Sequence, residues 1–160
     1  MNKLVIFGAG AHARRVAHIA GVTGWTVCAF VDERRQEDGQ LLGIPVLRKP
    51  MDTEPGMNAI VAIGDHEVRE RIHIEVLQKG FALPVLKHPF SSVAPDVAIA
   101  RGTVVLAGAV IESQAKVGEG VIVDIGALID HDAMVGNFCH VKPGALVQSH
   151  ARVGNNSVIE

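Results

Sequence analysis

The sequence predicts an α/β plus all-β chain: a small Rossmann-like parallel sheet domain over 1–88, then a parallel β-helix of hexapeptide repeats over 89–160. Three observations carry this reading. The first half alternates short apolar runs with amphipathic stretches, and the second half repeats every six residues without interruption. Between them, "LKHPFSSVAP" at 86–95 holds two prolines, two serines and no period, which places a boundary near Pro89.

In the first half the apolar runs are "KLVIF", "WTVCAFVD" and "NAIVAIGD", and the amphipathic stretches are "AHARRVAHIAG" and "HEVRERIHIEVLQKG". Strands apolar on both faces, separated by helices, are what a parallel sheet covered on both sides requires. The strands end at Gly8, Asp32 and Gly64. Open parallel sheets bind ligands beyond the carboxyl ends of their strands, so these three positions border any site.

From Val93 the aliphatic positions Val93, Ile99, Val105, Ile111, Val117, Val123, Ile129, Val135, Val141, Val147, Val153 and Ile159 recur every six residues. Four places after each stands a small or β-branched residue, from Val97 and Thr103 through Cys139 to Ser157. A helix stripe repeats at 3.6, so a strict six excludes it and marks stacked β-helix rungs. Stacking buries a column that one hexapeptide could not bury alone. Three hexapeptides make one triangular turn, so residues 18 apart stack: Asp132 falls beside His150, His131 between Ser113 and Ser149, and Asp124 beside Lys142.

Composition narrows the partners. The chain has 160 residues, 48% of them hydrophobic, and a net charge of −2 with no long Lys or Arg run. Neither nucleic acid nor an anionic membrane surface is indicated. The apolar start is broken by Gly8 and Gly10 before it reaches signal-peptide or membrane-span length, so it reads as a first strand in a cytoplasmic protein. Cys28 and Cys139 stand far apart without a CxxC partner and are expected as buried free thiols.

Two stretches carry chemistry. "GAGAHA" supplies Gly8, Gly10 and Ala13 between a strand and a helix, where backbone amides and a helix N-terminus suit phosphate. Asp32 follows at the end of the next strand, where a ribose-binding acid stands in dinucleotide folds. The domain is too short for both halves of such a fold, so a single nucleotide fits better than NAD. A tight turn without ligand is the competing reading of the glycines, and a solvated strand end that of Asp32 and Glu33. Arg69 and Arg71 read as exposed helix face. The second stretch is "IDHD" at 129–132. Ile129 points inward, so Asp130, His131 and Asp132 lie at a corner or outer surface. His131 reads there either as a surface histidine between solvated carboxylates or as a general base whose tautomer a carboxylate fixes.

Taken in order, "GAGAHARRV", "VDE", "AIGDHEVR", "HP", and a hexapeptide helix carrying "IDHD" and "FCHVKPGA" resemble the acetyltransferases that acylate bacterial nucleotide-linked amino sugars or sialic acid. The resemblance spans the chain. It implies a left-handed β-helix, a homotrimer with acetyl-CoA held between neighbouring helices, and a role in polysaccharide biosynthesis. It makes His131 the base and Asp132 its orienting carboxylate. It places His140 near the thioester with Gly144, Ala145 and Ser149. Backbone N–H groups near Gly144 and Ala145 are the expected donors to the oxyanion that such a transfer forms. It assigns Gly8, Gly10, His12, Asp32, Glu33 and Gly64 to a UDP-amino sugar and Asp124 to the acceptor, with sialic acid as the alternative substrate. No covalent intermediate and no metal are implied.

The sequence departs from the family pattern at Ala11, Glu33, Asp124 and Ser149, where Gly, Asp, Asn and Gly are usual. The eleven complete hexapeptides over 93–158 are fewer than the family's helix carries, so a cofactor groove short at its C-terminal side is expected. Three functions follow from these residues. The first is amino-sugar N-acetylation with acetyl-CoA, with O-acetylation of sialic acid as its variant. The second is a non-catalytic nucleotide-sugar-binding trimer without a working acetyl-CoA groove. The third is a zinc hydratase built on His131, His140 and His150, disfavoured because these three read as lying at different corners.

Overall fold

The computed structural model describes residues 2–49 and 56–160. The chain divides into two compact units, Met1–Pro84 and Val85–Glu160. Among the described residues no helix is long and apolar enough to cross a membrane.

The first unit is a five-stranded sheet in the order β3-β4-β2-β1-β5, with β1 Asn2–Phe7, β2 Trp25–Val31, β3 Gly39–Leu41, β4 Ile44–Leu47 and β5 Asn58–Val61. β1 lies between β2 and β5 and runs parallel to both. The helix α1, Ala11–Val22, buries Ala13, Val16, Ala17, Ile19 and Ala20, the three-and-four spacing of one helical stripe. The helix α2, His66–Gln78, starts on Asp65, whose carboxylate accepts the Val68 N–H at 2.9 Å. Val5, Phe7, Val31, Val61, Val76 and Phe81 form the core on the α2 side, where the Phe7 and Phe81 rings meet edge to face.

Two features differ from the expected parallel sheet and buried thiols. β3 runs antiparallel to β4. The two-residue turn between them, Leu42 and Gly43, has φ of 55° and 74°, and positive φ at both places is the hairpin geometry that matches strand twist. Cys28 is half-buried instead of buried, because the first part of β2 is only partly covered; Cys139 is buried, and both are free thiols.

The second unit is a three-faced parallel β-helix. One face stacks β7 (Ser92–Val93), β10 (Val110–Ile111), β13 (Leu128–Ile129) and β16 (Leu146–Val147). The next stacks β8 (Ala98–Ile99), β11 (Lys116–Val117), β14 (Met134–Val135) and β17 (Arg152–Val153). The third stacks β6 (Leu86–Lys87), β9 (Val104–Val105), β12 (Ile122–Val123), β15 (His140–Val141) and β18 (Val158–Ile159). Pairing partners such as Ile111 and Ile129, or Val123 and Val141, stand 18 residues apart, as the period requires. The aliphatic column and the small residues four places on form one buried cluster from Val105 to Val147. β6 adds a rung before the first hexapeptide: Lys87 pairs with Val105 but is exposed, so the apolar period does not reveal it.

The corners are set by backbone conformation. Gln114, Asp132, Phe138, His150 and Asn156 take φ between 57° and 62°, and glycines at equivalent turns are also left-handed, from Gly120 at 60° to Gly144 at 71°. At one corner Asn137 Oδ1 accepts the Glu119 N–H and Asn155 Oδ1 accepts the Asn137 N–H, a ladder of side-chain caps. This ladder needs glycine beneath it: a Cβ on Gly118 would lie 2.5 Å from Asn137 Oδ1 and 2.7 Å from its backbone nitrogen.

Two substitutions test this packing by urea unfolding of the β-helix. Ile129→Ala, at a residue with 0% exposure, is expected to lose about 2–5 kcal/mol. Gly118→Ala is expected to lose about 1–3 kcal/mol through overpacking against Asn137. Losses below about 0.5 kcal/mol at both would contradict the column and the ladder.

Candidate active site

β13 ends at Ile129, whose side chain fills the column, and the chain turns through Asp130, His131 and Asp132 before β14. Asp130 Oδ1 accepts the His131 backbone N–H at 2.8 Å. Asp132 takes the left-handed conformation at φ 58°, which a short polar side chain tolerates. Its Oδ2 lies 2.8 Å from His131 Nδ1. A carboxylate offers no proton, so Nδ1 carries the hydrogen and Nε2 the lone pair. Both side chains are about half exposed, at 51% and 45%. The hydrogen bond to Asp132 raises the His131 pKa above the ordinary 6.5; desolvation opposes it, and the charges of Asp130, Asp132 and Glu112 add to it. The result is a solvent-reaching imidazole with a fixed tautomer.

A second histidine–carboxylate pair lies on the third face. Asp124 follows β12 and is 1% exposed; His140 opens β15, and its Nε2 lies 2.9 Å from Asp124 Oδ2. Asp124 Oδ1 also accepts the Ile125 backbone N–H at 2.8 Å. The sequence pointed to Lys142 as the neighbour of Asp124; the structure gives it the imidazole of His140, 16 residues on. This pair leaves Nδ1 as the acceptor nitrogen of the neutral His140 ring.

The N–H groups of Gly144 and Ala145 themselves are committed within the fold. The Gly144 N–H donates to Ile125 O at 3.0 Å and the Ala145 N–H to Lys142 O at 3.0 Å, bonds that hold the corner together. With both donors committed, neither is available to an oxyanion. Ser149 is half-buried in the turn before His150.

In the first unit a cleft at the carboxyl ends of β1 and β2 is lined by Gly8, Asp32, Glu33, Arg34, Arg71 and Lys79 among others. It brings together three of the residues that the sequence assigned to a nucleotide. Gly8 sits at φ 112°, its N–H bonded to Val31 O at 2.7 Å, and an added Cβ would lie 2.6 Å from Ala62 O. Gly10 caps α1 in extended conformation without a side-chain bond. Asp32 accepts from the Arg34 backbone at 3.1 Å and from its Nε at 3.4 Å. His12 is buried on the packed side of α1. Arg69 corrects the sequence reading: it is not exposed helix face but 1% exposed, and its Nη1 donates to Ile63 O and Gly64 O, each at 2.8 Å. It ties α2 to the strand-end turn that holds Gly64, a role that no periodicity signals. Arg71 pairs with Glu75 at 2.9 Å along the cleft wall.

Known proteins share this architecture. A sequence profile described as the PglD N-terminal domain matches residues 3–76. The acetyltransferase domain of PglB from Neisseria gonorrhoeae FA1090 superposes with a TM-score of 0.89 at 34% identity, covering 99% of this chain and 79% of that one. The same domain in complex with acetyl coenzyme A gives 0.85 at 30% identity, covering 98% and 87%. A mutant perosamine N-acetyltransferase from Caulobacter crescentus, in complex with CoA and GDP-perosamine, gives 0.83 at 28% identity, covering 100% and 89%. The fold and its histidine-bearing helix define a sugar acetyltransferase with an N-terminal α/β unit and a hexapeptide β-helix. The chain belongs to that family, alongside the PglB acetyltransferase domain.

The buried pair generates a prediction. Asp124→Ala removes the acceptor facing His140 and is expected to cost about 1–3 kcal/mol, with Asp124→Asn, which keeps an acceptor oxygen, losing less. Chemical unfolding of the three proteins checks the order; an alanine variant as stable as the parent would contradict a structural hydrogen bond there.

Proposed function

We propose that the chain transfers the acetyl group of acetyl-CoA to the amino group of a nucleotide-linked amino sugar, with His131 as general base. The observation that carries this reading is the His131–Asp132 pair, an exposed imidazole whose outer nitrogen is unprotonated. His131 Nε2 takes a proton from the amine as its nitrogen attacks the thioester carbon. Asp132 stabilises the imidazolium that forms. The carbon–sulfur bond then breaks, and the imidazolium returns its proton to the departing CoA sulfur, giving the amide and free CoA. Neither cysteine takes part, since Cys139 is buried and Cys28 lies within β2.

The cleft at Gly8, Asp32 and Glu33 is suited to the nucleotide: Arg34, Arg71 and Lys79 on its wall for phosphate, carboxylates for ribose hydroxyls. Gly10 offers the α1 N-terminus, Gly64 a turn held by Arg69, and His12 only its backbone. His140, held by Asp124, is assigned to the cofactor, with Ser149, the exposed Gly144 and the buried Ala145 that follows it. The sequence pointed to a uridine diphosphate sugar, and relatives bind GDP-perosamine, so both nucleotides enter the acceptor screen. Acetyl-CoA and nucleotide sugars point to the cytoplasm, and surface-glycan synthesis is the process that consumes such a product.

We also assign a homotrimer. Ile125, Leu146 and Val158 are exposed on the helix exterior, an apolar surface that self-association covers. His131 and His140 lie half a turn apart on one helix, in different faces, so a neighbouring copy can bring one of each together.

Steady-state kinetics test the base. His131→Ala is expected to lower kcat by roughly 10²–10⁴-fold with little change in KM for acetyl-CoA. Because the working form is unprotonated and the pKa is raised, kcat/KM should climb with pH through an inflection above 6.5. Asp132→Asn, which suits the left-handed turn, should move that inflection down. Activity retained in His131→Ala, or an inflection indifferent to Asp132, would sink the assignment. Light scattering on the pure protein should give three times the 17.0 kDa chain mass, and a monomer would contradict the trimer.

A further inference from the structure

The corner that carries His131 also carries a residue with no part in the proposed reaction. His150 stands 18 residues after Asp132, so the strand register stacks the two one turn apart. Its backbone N–H donates to His131 O at 3.2 Å. Asp132 and His150 share the left-handed conformation, φ 58° and 61°, so their side chains leave the corner in parallel. The His131 and His150 rings meet edge to face with centroids 5.2 Å apart. One ligand atom from each of His131, Asp132 and His150 lies within 4.8 Å of the other two, and all three residues are exposed. The expectation that the three histidines occupy different corners therefore fails for this pair: His131 and His150 share one, while His140 sits on another face with Asp124.

We propose that His131, Asp132 and His150 bind a divalent transition-metal ion such as zinc, and that the bound ion switches the enzyme off. The inhibitory clause rests on His131 being the base. Two imidazoles and one carboxylate suit zinc and its neighbours, whereas magnesium and calcium prefer oxygen alone. Zinc holds such ligands at about 2.0–2.2 Å, with water in the fourth place. The most distant of the three atoms therefore closes by about an ångström, on the order of a side-chain rotation at exposed positions on a fixed backbone. His131 binds through Nδ1, the ring nitrogen that faces Asp132 at 2.8 Å, and its hydrogen passes through solvent to Nε2. With the metal on Nδ1 and the hydrogen on Nε2, neither nitrogen can accept a proton from the amine, so occupancy removes the base. No hydratase chemistry is required, because the ion acts by changing the tautomer of the base.

Calorimetry with Zn²⁺ on the EDTA-stripped, desalted full chain tests the site, comparing the parent with His150→Asn, a residue that keeps the left-handed turn. The parent should bind one zinc per chain, and the variant should bind at least about tenfold more weakly. Zinc that binds both alike, or neither, overturns the site. In parallel, zinc should stop acetyl transfer by the parent and EDTA should restore it, while His150→Asn keeps its basal rate and resists the same zinc. Parent activity that survives a zinc-saturated site overturns the switch. A protein that binds zinc through His150 but transfers no acetyl group under any condition sustains the metal site and fails the acetyltransferase reading, which separates the two.

Discussion

Everything at the proposed base hangs from one constraint, the hydrogen-bonded ladder that pairs each strand residue with the residue 18 positions on. The ladder fixes register, and register decides which side chains enter the column and which leave it. Since inner places accept only aliphatic or small residues, corners are where polar chemistry can be held without disturbing packing. The backbone of such a corner is committed to neighbours on both sides, as the bonds of Asp132 N to Ser113 O and of His150 N to His131 O show. A rigid frame of this kind positions a base at little further entropic cost.

The two histidine–carboxylate pairs show how burial divides one chemistry into two uses. His131 and Asp132 face solvent, and their bond leaves an outer nitrogen open to an incoming amine. Asp124 and His140 lie under cover, with the carboxylate also bonded to the Ile125 backbone. The buried pair holds a ring in place; the exposed pair can exchange a proton with substrate. Gly144 and Ala145 follow the same logic in reverse, since their N–H groups hold the corner together and are not available to a reaction.

The β-helix was legible in the sequence because its period is strict and has no helical counterpart. What the period missed is equally physical. Lys87 occupies an aliphatic place in the first rung, and its charge hides that rung from an apolar pattern. The β3–β4 hairpin escaped because Leu42 holds a positive φ that sequence assigns to glycine or asparagine. Arg69 looked like solvated helix surface, yet its guanidinium finds two carbonyls inside the turn. Stacking arithmetic put Asp132 beside His150, but the meeting of Asp124 with His140 spans 16 residues, a diagonal that simple stacking does not predict. The nucleotide residues were legible as strand ends, where Gly8, Asp32 and Glu33 share one cleft.

The claim on which the account turns is that Asp132 fixes His131 with Nδ1 protonated and Nε2 open. Imidazole nitrogen NMR on ¹⁵N-histidine-labelled protein, assigned with His131→Ala and followed through a pH titration, reads this directly. Neutral His131 is expected as the Nδ1–H tautomer, with a midpoint above 6.5. An Nε2–H tautomer, or a midpoint unchanged when Asp132 is replaced by Asn, would contradict it.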